Sequence, residues 1–209
     1  MSELRIGVKG TPVFGCDEAA ARETHGAADF RLRKGIGRGG EIDGDVEALT
    51  FNMGEPDVKR AGSDVTILSI GATLYRALKA ADILKEKYNV SAEVIDARSL
   101  VPFNYAKVIE SVKKTGRIVI TGDACERNSF MRTFASNITE LAFDYLDAPP
   151  VVVGSKNWIT PAHELENCFF PQPEWIVDAI HERIMPLPGH VCVHNCTELE
   201  QIRENAAGI

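Results

Sequence analysis

The sequence predicts an open, three-layer α/β domain built on about five mostly parallel strands. Two observations point to this class. Short, continuous apolar runs recur along the chain, and such runs are typical of strands buried on both faces of a parallel sheet. Between them, apolar side chains recur at the spacing of amphipathic helices. Strands that alternate with helices in this way favour a parallel sheet with right-handed crossovers.

Four segments carry the strand pattern, namely residues 65–70, 92–95, 117–121 and 151–153. Each is a short, mostly apolar run, and only small hydroxyl side chains interrupt the first one. Because a run of this kind has no polar face, we expect the strands to lie inside the sheet. In particular, Ile95 and Ile120 are predicted to be fully buried in central strands.

Four apolar stripes at helical spacing predict the helices. The stripes consist of Leu74, Ala77, Leu78, Ala81 and Leu84; Val108, Ile109 and Val112; Phe130, Phe134, Ile138, Leu141 and Tyr145; and Ile176, Val177, Ile180 and Ile184. Pro173 precedes the last stripe, and proline suits the first turn of a helix. Every predicted strand in the region therefore precedes a predicted helix.

The two ends of the chain lack this alternation. We assign residues 57–186 to the α/β domain, residues 1–56 to an N-terminal extension and linker, and residues 187–209 to a C-terminal extension. Within the N-terminal extension, residues 10–14 resemble a strand and residues 17–23 favour a short helix. The N-terminal extension is thus a candidate remnant of a further domain.

Two local motifs lie in these extensions. Residues 35–40 (GIGRGG) are followed by acidic residues and predict a flexible loop. Phosphate binding is the weaker alternative for this loop, because a phosphate cradle follows a strand and opens a helix. A capping box at residues 197–200 (TELE) predicts a short final helix.

The composition favours a globular protein of the cytoplasm. The chain has 209 residues and a net charge of -7. An acidic chain without a basic run is a poor candidate for binding nucleic acid or an anionic membrane, and no apolar segment is long enough to span a bilayer. Five cysteines at scattered positions argue against a disulfide framework and favour a reducing compartment.

Several motifs in a fixed order resemble one known family. Residues 62–71 (GSDVTILSIG) and 94–104 (VIDARSLVPFN) each combine an apolar strand with the turn that opens a helix. Further matching segments are residues 54–60, 111–117, 142–149, 160–161, 165–166 and 171–176. The pattern is similar to the C-terminal domain of transketolase-like enzymes. It is closest to the beta subunit of the first component of 2-oxoacid (pyruvate or branched-chain) dehydrogenase complexes.

The resemblance implies a subunit, or the C-terminal portion, of a thiamine-diphosphate-dependent 2-oxoacid dehydrogenase beta subunit. It also implies that this domain serves assembly, while thiamine diphosphate and magnesium belong to the assembled enzyme. The family's activating glutamate and diphosphate–magnesium motif have no counterpart in this sequence, so no catalytic or cofactor-binding residue is predicted. The expected partners are other subunits of such an enzyme, in a homo- or hetero-oligomer that residues 1–56 help to form.

The length of the N-terminal extension bears on this interpretation. In such beta subunits a whole pyrimidine-binding domain precedes the C-terminal one, so we expect either a split subunit or a truncated form that is inactive alone. Two functions of other classes remain open. One is a stand-alone oligomerisation or regulatory module of the same fold, and the other is a metal-binding redox subunit.

The sequence departs from the family pattern at two turns. Asn104 stands where the family has aspartate; both residues are good helix N-caps, so we expect the cap to survive without its charge. After the third predicted strand, residues 124–131 (ACERNSFM) replace a glycine-rich turn with bulky side chains. Contacts at this edge of the sheet are therefore expected to differ from those of the family.

The C-terminal extension contains the one candidate metal site, formed by His190, Cys192, His194 and Cys196. Imidazole and thiolate groups at this density suit zinc or iron. However, side chains that alternate along an extended strand spread over about 20 Å, which is too far for one ion. The spacing alone therefore favours ordinary packing of the tail, and we expect no stoichiometric metal there.

Other candidate residues follow the strands, where open α/β sheets collect ligands. Cys125 and Glu126 follow the third strand, and we expect a buried or interface cysteine rather than a nucleophile, because a reactive thiolate needs a cationic neighbour. For Asp96 and Arg98 we expect a structural ion pair that orients the next turn. His163 opens a predicted helix and is expected at the surface or at an interface.

Overall fold

A computed structural model of the chain describes residues 54–157 and 159–193, together with the backbone of four short strands nearer the N-terminus. The chain divides into two compact units, Met1–Glu55 and Pro56–Ile209. Several sequence predictions lie outside the described residues. They are the helix at 17–23, the loop at 35–40, the final helix after the capping box, and the side chains of His194 and Cys196.

The first unit contains a four-stranded antiparallel sheet. Its strands are β1 (Ile6–Val8), β2 (Thr11–Pro12), β3 (Ala28–Leu32) and β4 (Leu49–Phe51), in the order β2-β1-β3-β4. β2 falls within the strand predicted at residues 10–14, whereas the other three strands were not predicted. They are only three to five residues long, so their side-chain pattern is too short to show a period.

The second unit is built on a five-stranded mixed sheet in the order β5-β7-β6-β8-β9. The strands are β5 (Asp57–Arg60), β6 (Val65–Ile70), β7 (Ala92–Asp96), β8 (Ile118–Cys125) and β9 (Val151–Ser155). β7, β6, β8 and β9 are parallel, and β5 pairs antiparallel with β7 at one edge. The predicted fold class is confirmed.

Four helices cover both faces of this sheet. They are α1 (Thr73–Tyr88), α2 (Ala106–Thr115), α3 (Phe130–Ala142) and α4 (Pro173–Arg183). α1 and α4 contribute to the apolar core on one face, and α2 and α3 contribute to the core on the other face. Ile95 and Ile120 are fully buried, as expected for central strands.

The third stripe ends earlier than its pattern indicates. Leu141 and Tyr145 were expected on the buried face of α3, but both side chains are exposed. Leu141 lies in the last turn of α3, and Tyr145 lies in a 3-10 turn, Phe143–Tyr145, that follows the helix. The tighter winding of a 3-10 turn rotates side chains away from the helical stripe.

Asn104 makes a cap-like hydrogen bond to α2, although it lies one residue before the N-cap, Tyr105. The Asn104 side-chain oxygen accepts a hydrogen bond from the backbone N–H of Ala106 at 3.0 Å, which satisfies a donor that the first turn of a helix leaves open. Gly116 ends the helix with a φ of 68°. Such a left-handed residue is the usual helix terminator, because glycine adopts it without steric cost.

A close approach of two backbones occurs at Gly62, which precedes β6. A Cβ atom at this position would lie 2.2 Å from the carbonyl carbon of Ala92. The Gly62 N–H also donates to the Glu93 carboxylate at 3.1 Å. The absence of a side chain at Gly62 therefore brings the buried Glu93 within hydrogen-bonding reach of the backbone.

Candidate functional site

The β-to-α connections of the parallel strands define one edge of the sheet, which we call the carboxyl edge. β6 is followed by α1 on one face and leads to β7, whereas β8 is followed by α3 on the other face and leads to β9. The direction of the chain therefore reverses between β6 and β8, and this is the position where open α/β sheets bind ligands. Gly71 makes the turn from β6 into α1 with a φ of 68°.

Hydroxyl groups and one ion pair occupy the position where β6 and β8 end. The Thr73 hydroxyl donates to the carbonyl oxygen of Ile70 at 2.8 Å, and the Ser69 hydroxyl lies 3.0 Å from the Thr73 hydroxyl. Beyond them, Arg76 Nη1 contacts Asp123 Oδ1 at 3.4 Å. Burial raises the pKa of Asp123 above its ordinary value, although the Arg76 guanidinium opposes the change.

The residues after β8 are held by ordinary structural contacts. The Cys125 thiol donates to the Asn157 side-chain oxygen at 3.2 Å and is half-buried. Glu126 turns inward, and its carboxylate lies 2.8 Å from Arg132 Nη2 and 4.0 Å from Arg183 Nη2. Glu126 therefore joins α3 and α4 to the end of β8.

The expected ion pair between Asp96 and Arg98 is wrong in its partner. The Asp96 carboxylate accepts the backbone N–H of Arg98 at 3.1 Å, whereas the Arg98 guanidinium pairs with Asp57 on β5. The Lys59 ammonium, together with Arg98, holds the pKa of Asp57 below its ordinary value. The reason lies in the sheet: β5 pairs antiparallel with β7 and places Asp57 opposite Asp96.

His163 is exposed, as the sequence predicted. It begins a 3-10 segment, His163–Cys168, and its side chain is 90% accessible. Its Nδ1 atom lies 3.2 Å from the carboxylate of Glu166, one turn later. Nothing in this arrangement positions the imidazole against a nucleophile among the described residues.

Large apolar side chains are exposed along the carboxyl edge. Tyr75 in the first turn of α1 is 72% exposed, and Ile159 after β9 is 93% exposed. Leu100 and Val101 after β7 and Leu165 in the 3-10 segment are exposed as well. Exposed apolar groups that share one edge are typical of a surface for other chains.

A second group of polar residues lies where the C-terminal segment meets α4. His190 Nε2 lies 2.6 Å from Asp178 Oδ1, and His190 Nδ1 lies 2.6 Å from the Tyr88 hydroxyl. The Val193 N–H donates to Asp178 Oδ2 at 3.1 Å. One potential ligand atom from each of Asp178, His190 and Cys192 lies within 4.8 Å of the others. We call these three residues the tail cluster.

Asp178 was not predicted as a site residue. In the sequence it is a polar position among the apolar residues of α4, which is common on an amphipathic helix. The structure buries it, and the chain after α4 returns to contact it. Gly189, with a φ of 72°, provides the turn that brings His190 back. Such a return cannot be read from local spacing.

Comparisons with known proteins identify the fold. The family model for the transketolase C-terminal domain matches residues 54–176. The chain belongs to the transketolase C-terminal domain family. The resemblance inferred from the motifs is therefore confirmed.

Among similar proteins is a pyruvate dehydrogenase E1 component subunit beta from Bacillus subtilis, 33% identical over 63% of this chain and 40% of that protein. The corresponding Rhizobium meliloti subunit is 37% identical over 65% of this chain and 29% of that protein. The beta subunit of a Bacillus subtilis acetoin:2,6-dichlorophenolindophenol oxidoreductase is 35% identical over 68% of this chain and 41% of that protein. This member of the transketolase C-terminal domain family thus spans less than half the length of these relatives.

A solved structure has a similar fold. It is the inactive beta4 tetramer of a split-gene transketolase, with a TM-score of 0.52 and 27% identity over 63% of this chain and 41% of that chain. No helix in the described parts of the present chain is both long and apolar enough to cross a bilayer.

The family model covers one of the two candidate regions and not the other. The carboxyl edge, including Arg76, Asp123 and Ile159, lies within the matched residues 54–176. Asp178, His190 and Cys192 all lie beyond them. The tail cluster is therefore a feature of this chain outside the span that defines the transketolase C-terminal domain.

Proposed function

We propose that the chain is a subunit, or the C-terminal portion, of a thiamine-diphosphate-dependent 2-oxoacid dehydrogenase beta subunit. In this proposal it provides contacts to other chains and no cofactor ligand. The supporting observation is its similarity, at 33–37% identity, to beta subunits of pyruvate dehydrogenase and of an acetoin oxidoreductase. The similarity covers the domain that follows the expected position of the cofactor-binding domain.

The exposed apolar residues support a role in assembly. A groove for a small ligand combines apolar walls with a few convergent polar groups. At the carboxyl edge, by contrast, Arg76 is paired with Asp123, and apolar side chains such as Tyr75 and Ile159 project outward. We infer that this edge contacts another subunit, because aromatic and aliphatic residues of this kind form the centre of protein interfaces.

We propose that the described residues do not hold thiamine diphosphate and magnesium. Magnesium that binds a diphosphate takes oxygen ligands. In the part of the chain that the structure describes, the single group of three or more potential metal ligands is the tail cluster, which includes an imidazole and a thiol. We therefore assign no catalytic step to this chain, and propose that the cofactor is held by other parts of the assembled enzyme.

We propose a homo- or hetero-oligomeric enzyme of the cytoplasm. The similar split-gene transketolase chain is described as a tetramer of beta chains, and residues 1–56 remain the proposed second contact. The scattered cysteines fit a reducing compartment. Cell fractionation that places the native chain outside the cytoplasm would contradict the location.

The experiment is purification of the tagged chain from its native source, with assays of the complex and of the chain alone. We expect a companion chain that carries a thiamine-diphosphate site, and 2-oxoacid decarboxylation that depends on thiamine diphosphate in the complex. The isolated chain should show neither activity nor binding of thiamine diphosphate by calorimetry. Micromolar binding to the isolated chain would overturn the proposal, and so would a native complex without such activity.

A further inference from the structure

We propose that Asp178, His190 and Cys192 form a zinc site that fixes the C-terminal segment to α4. The site lies outside the residues that match the family, so this proposal does not depend on the proposed enzymatic function. The spacing within the tail alone predicted no metal site, whereas the structure adds a ligand from outside the tail, Asp178 on α4.

The chemistry of the three ligands suits zinc. Zinc binds thiolate sulfur, imidazole nitrogen and carboxylate oxygen, and it does so in tetrahedral geometry. Bonds of about 2.0–2.3 Å place the ligand atoms of such a site roughly 3.3–3.8 Å apart. In the tail cluster, the corresponding atoms already lie within 4.8 Å of one another. Because His190 Nε2 and Asp178 Oδ1 lie 2.6 Å apart, zinc binding requires this pair to separate by about 1 Å and the Cys192 sulfur to move closer to both.

Hydrogen bonds to the tail cluster already orient two of the ligands. The Tyr88 hydroxyl contacts His190 Nδ1 at 2.6 Å, which leaves Nε2 directed at Asp178 Oδ1. The Val193 N–H holds the other oxygen, Oδ2, of the same carboxylate at 3.1 Å. A histidine that binds metal through one nitrogen generally hydrogen-bonds through the other, and this partner fixes the ring. Zinc would take the place of the hydrogen bond that joins His190 and Asp178.

The backbone around the cluster explains why an extended-strand estimate does not apply. The His190 N–H donates to the carbonyl oxygen of Leu187 at 3.1 Å, and Gly189 lies in this turn. The buried Leu187 side chain and the bond from its N–H to His181 Nδ1 hold the turn against α4. His190 and Cys192 therefore both approach one carboxylate instead of spreading along a strand.

Burial favours an ion at this position. The side chains of His190 and Asp178 are only 10% and 12% exposed. A carboxylate removed from water needs a hydrogen-bond partner or a positive charge; His190 provides the first, and a zinc ion would provide the second. Cys192 separates the two interpretations, because the hydrogen bond between His190 and Asp178 does not involve a thiolate, whereas the zinc site does.

The test measures zinc in the full chain. The protein is purified without chelators, dialysed against zinc sulfate and then against metal-free buffer, and analysed by mass spectrometry of the elements. We expect about one zinc per chain. Cys192→Ser and Asp178→Asn should each reduce retained zinc at least several-fold. The matched controls are Cys168→Ser, at an exposed cysteine, and His163→Ala, at an exposed histidine; both should retain zinc.

Cobalt substitution tests the same site without a variant. Cobalt(II) in the wild-type chain should show the intense visible absorption of a tetrahedral ion and a thiolate-to-cobalt charge-transfer band. The proposal is overturned if the wild-type chain retains no zinc after reconstitution, or if the cobalt spectrum lacks thiolate character. Full retention of zinc by Cys192→Ser and Asp178→Asn would also overturn it, because the ion would then bind elsewhere.

Discussion

The interior of the central sheet and its carboxyl edge are built from similar apolar residues, yet they use them differently. In the interior, Ile67, Ile95 and Ile120 are fully buried between helices on both faces. At the carboxyl edge, Tyr75 and Ile159 are 72% and 93% exposed. The difference teaches that hydrophobicity alone does not locate the core. The same residue type stabilises the fold when it is enclosed and is available to a partner when it follows a strand.

The largest expected effect tests the interior. Ile120→Ala and Ile95→Ala remove most of a fully buried side chain from central strands. Each should lower the free energy of unfolding by about 2–5 kcal/mol, because the transferred area and the cavity both contribute. Denaturant unfolding provides the measurement, with Val58→Ala on the edge strand β5 as the control at a partly exposed position. A loss below about 1 kcal/mol would contradict the burial of these strands.

The next largest effect is expected at Glu93, a buried carboxylate on β7. Burial raises the pKa of Glu93, but hydrogen bonds from Lys114, Ser111 and the Gly62 N–H outweigh it and hold the pKa below its ordinary value of 4.5. Its contribution is therefore present above that pH and is lost as the pH falls through the lowered folded-state pKa. Glu93→Gln should cost about 1–3 kcal/mol at neutral pH.

The pH profile distinguishes this electrostatic effect from a packing effect. The stabilities of wild type and Glu93→Gln should converge at acidic pH, since the wild-type side chain is then protonated in both states. Glu110→Gln, at an exposed position of α2, is the control and should change little at any pH. A constant difference between wild type and Glu93→Gln across the acidic range would exclude the proposed role of the charge.

A smaller effect of opposite sign is expected at the carboxyl edge. The pKa of Asp123 is raised above 3.8 by burial. Between the unfolded-state pKa and the raised folded-state pKa, the folded state therefore binds more protons than the unfolded state. Stability conferred by this group therefore falls as the pH rises through that window. Asp123→Asn should gain stability relative to wild type from acidic to neutral pH, by a small amount because the side chain is 39% exposed. Thermal melts over this range measure it, and a relative loss would contradict the sign.

The smallest effect on stability is expected at the exposed apolar residues, where association should change instead. Tyr75→Ser together with Ile159→Ser should alter the free energy of unfolding by less than about 0.5 kcal/mol. The same pair should weaken assembly of the purified complex, measured by light scattering. Phe143→Ser is the control, since Phe143 is 72% exposed but lies after α3, at the opposite edge of the sheet. Equal weakening by both variants would argue against a specific contact at the carboxyl edge.

The sequence pattern was sufficient to predict the elements that are long enough to show a clear apolar run or periodicity. The strand at residues 65–70 and the stripe from Leu74 to Leu84 correspond to β6 and α1, because continuous runs and helical spacing report which faces are enclosed. Asn104 likewise predicted the start of α2 from a hydrogen bond made within three residues. The motifs in their order also sufficed to identify the family.

The tertiary structure alone decided which distant residues meet. Arg98 pairs with Asp57 because β5 runs antiparallel beside β7. The side-chain pattern of β5 could not predict this pairing, because the strand is only four residues long. His190 meets Asp178 because the chain turns back at Gly189 onto α4. Local periodicity determines which side of an element is apolar, but the choice of partner depends on how separate elements pack, and this is a property of the whole fold.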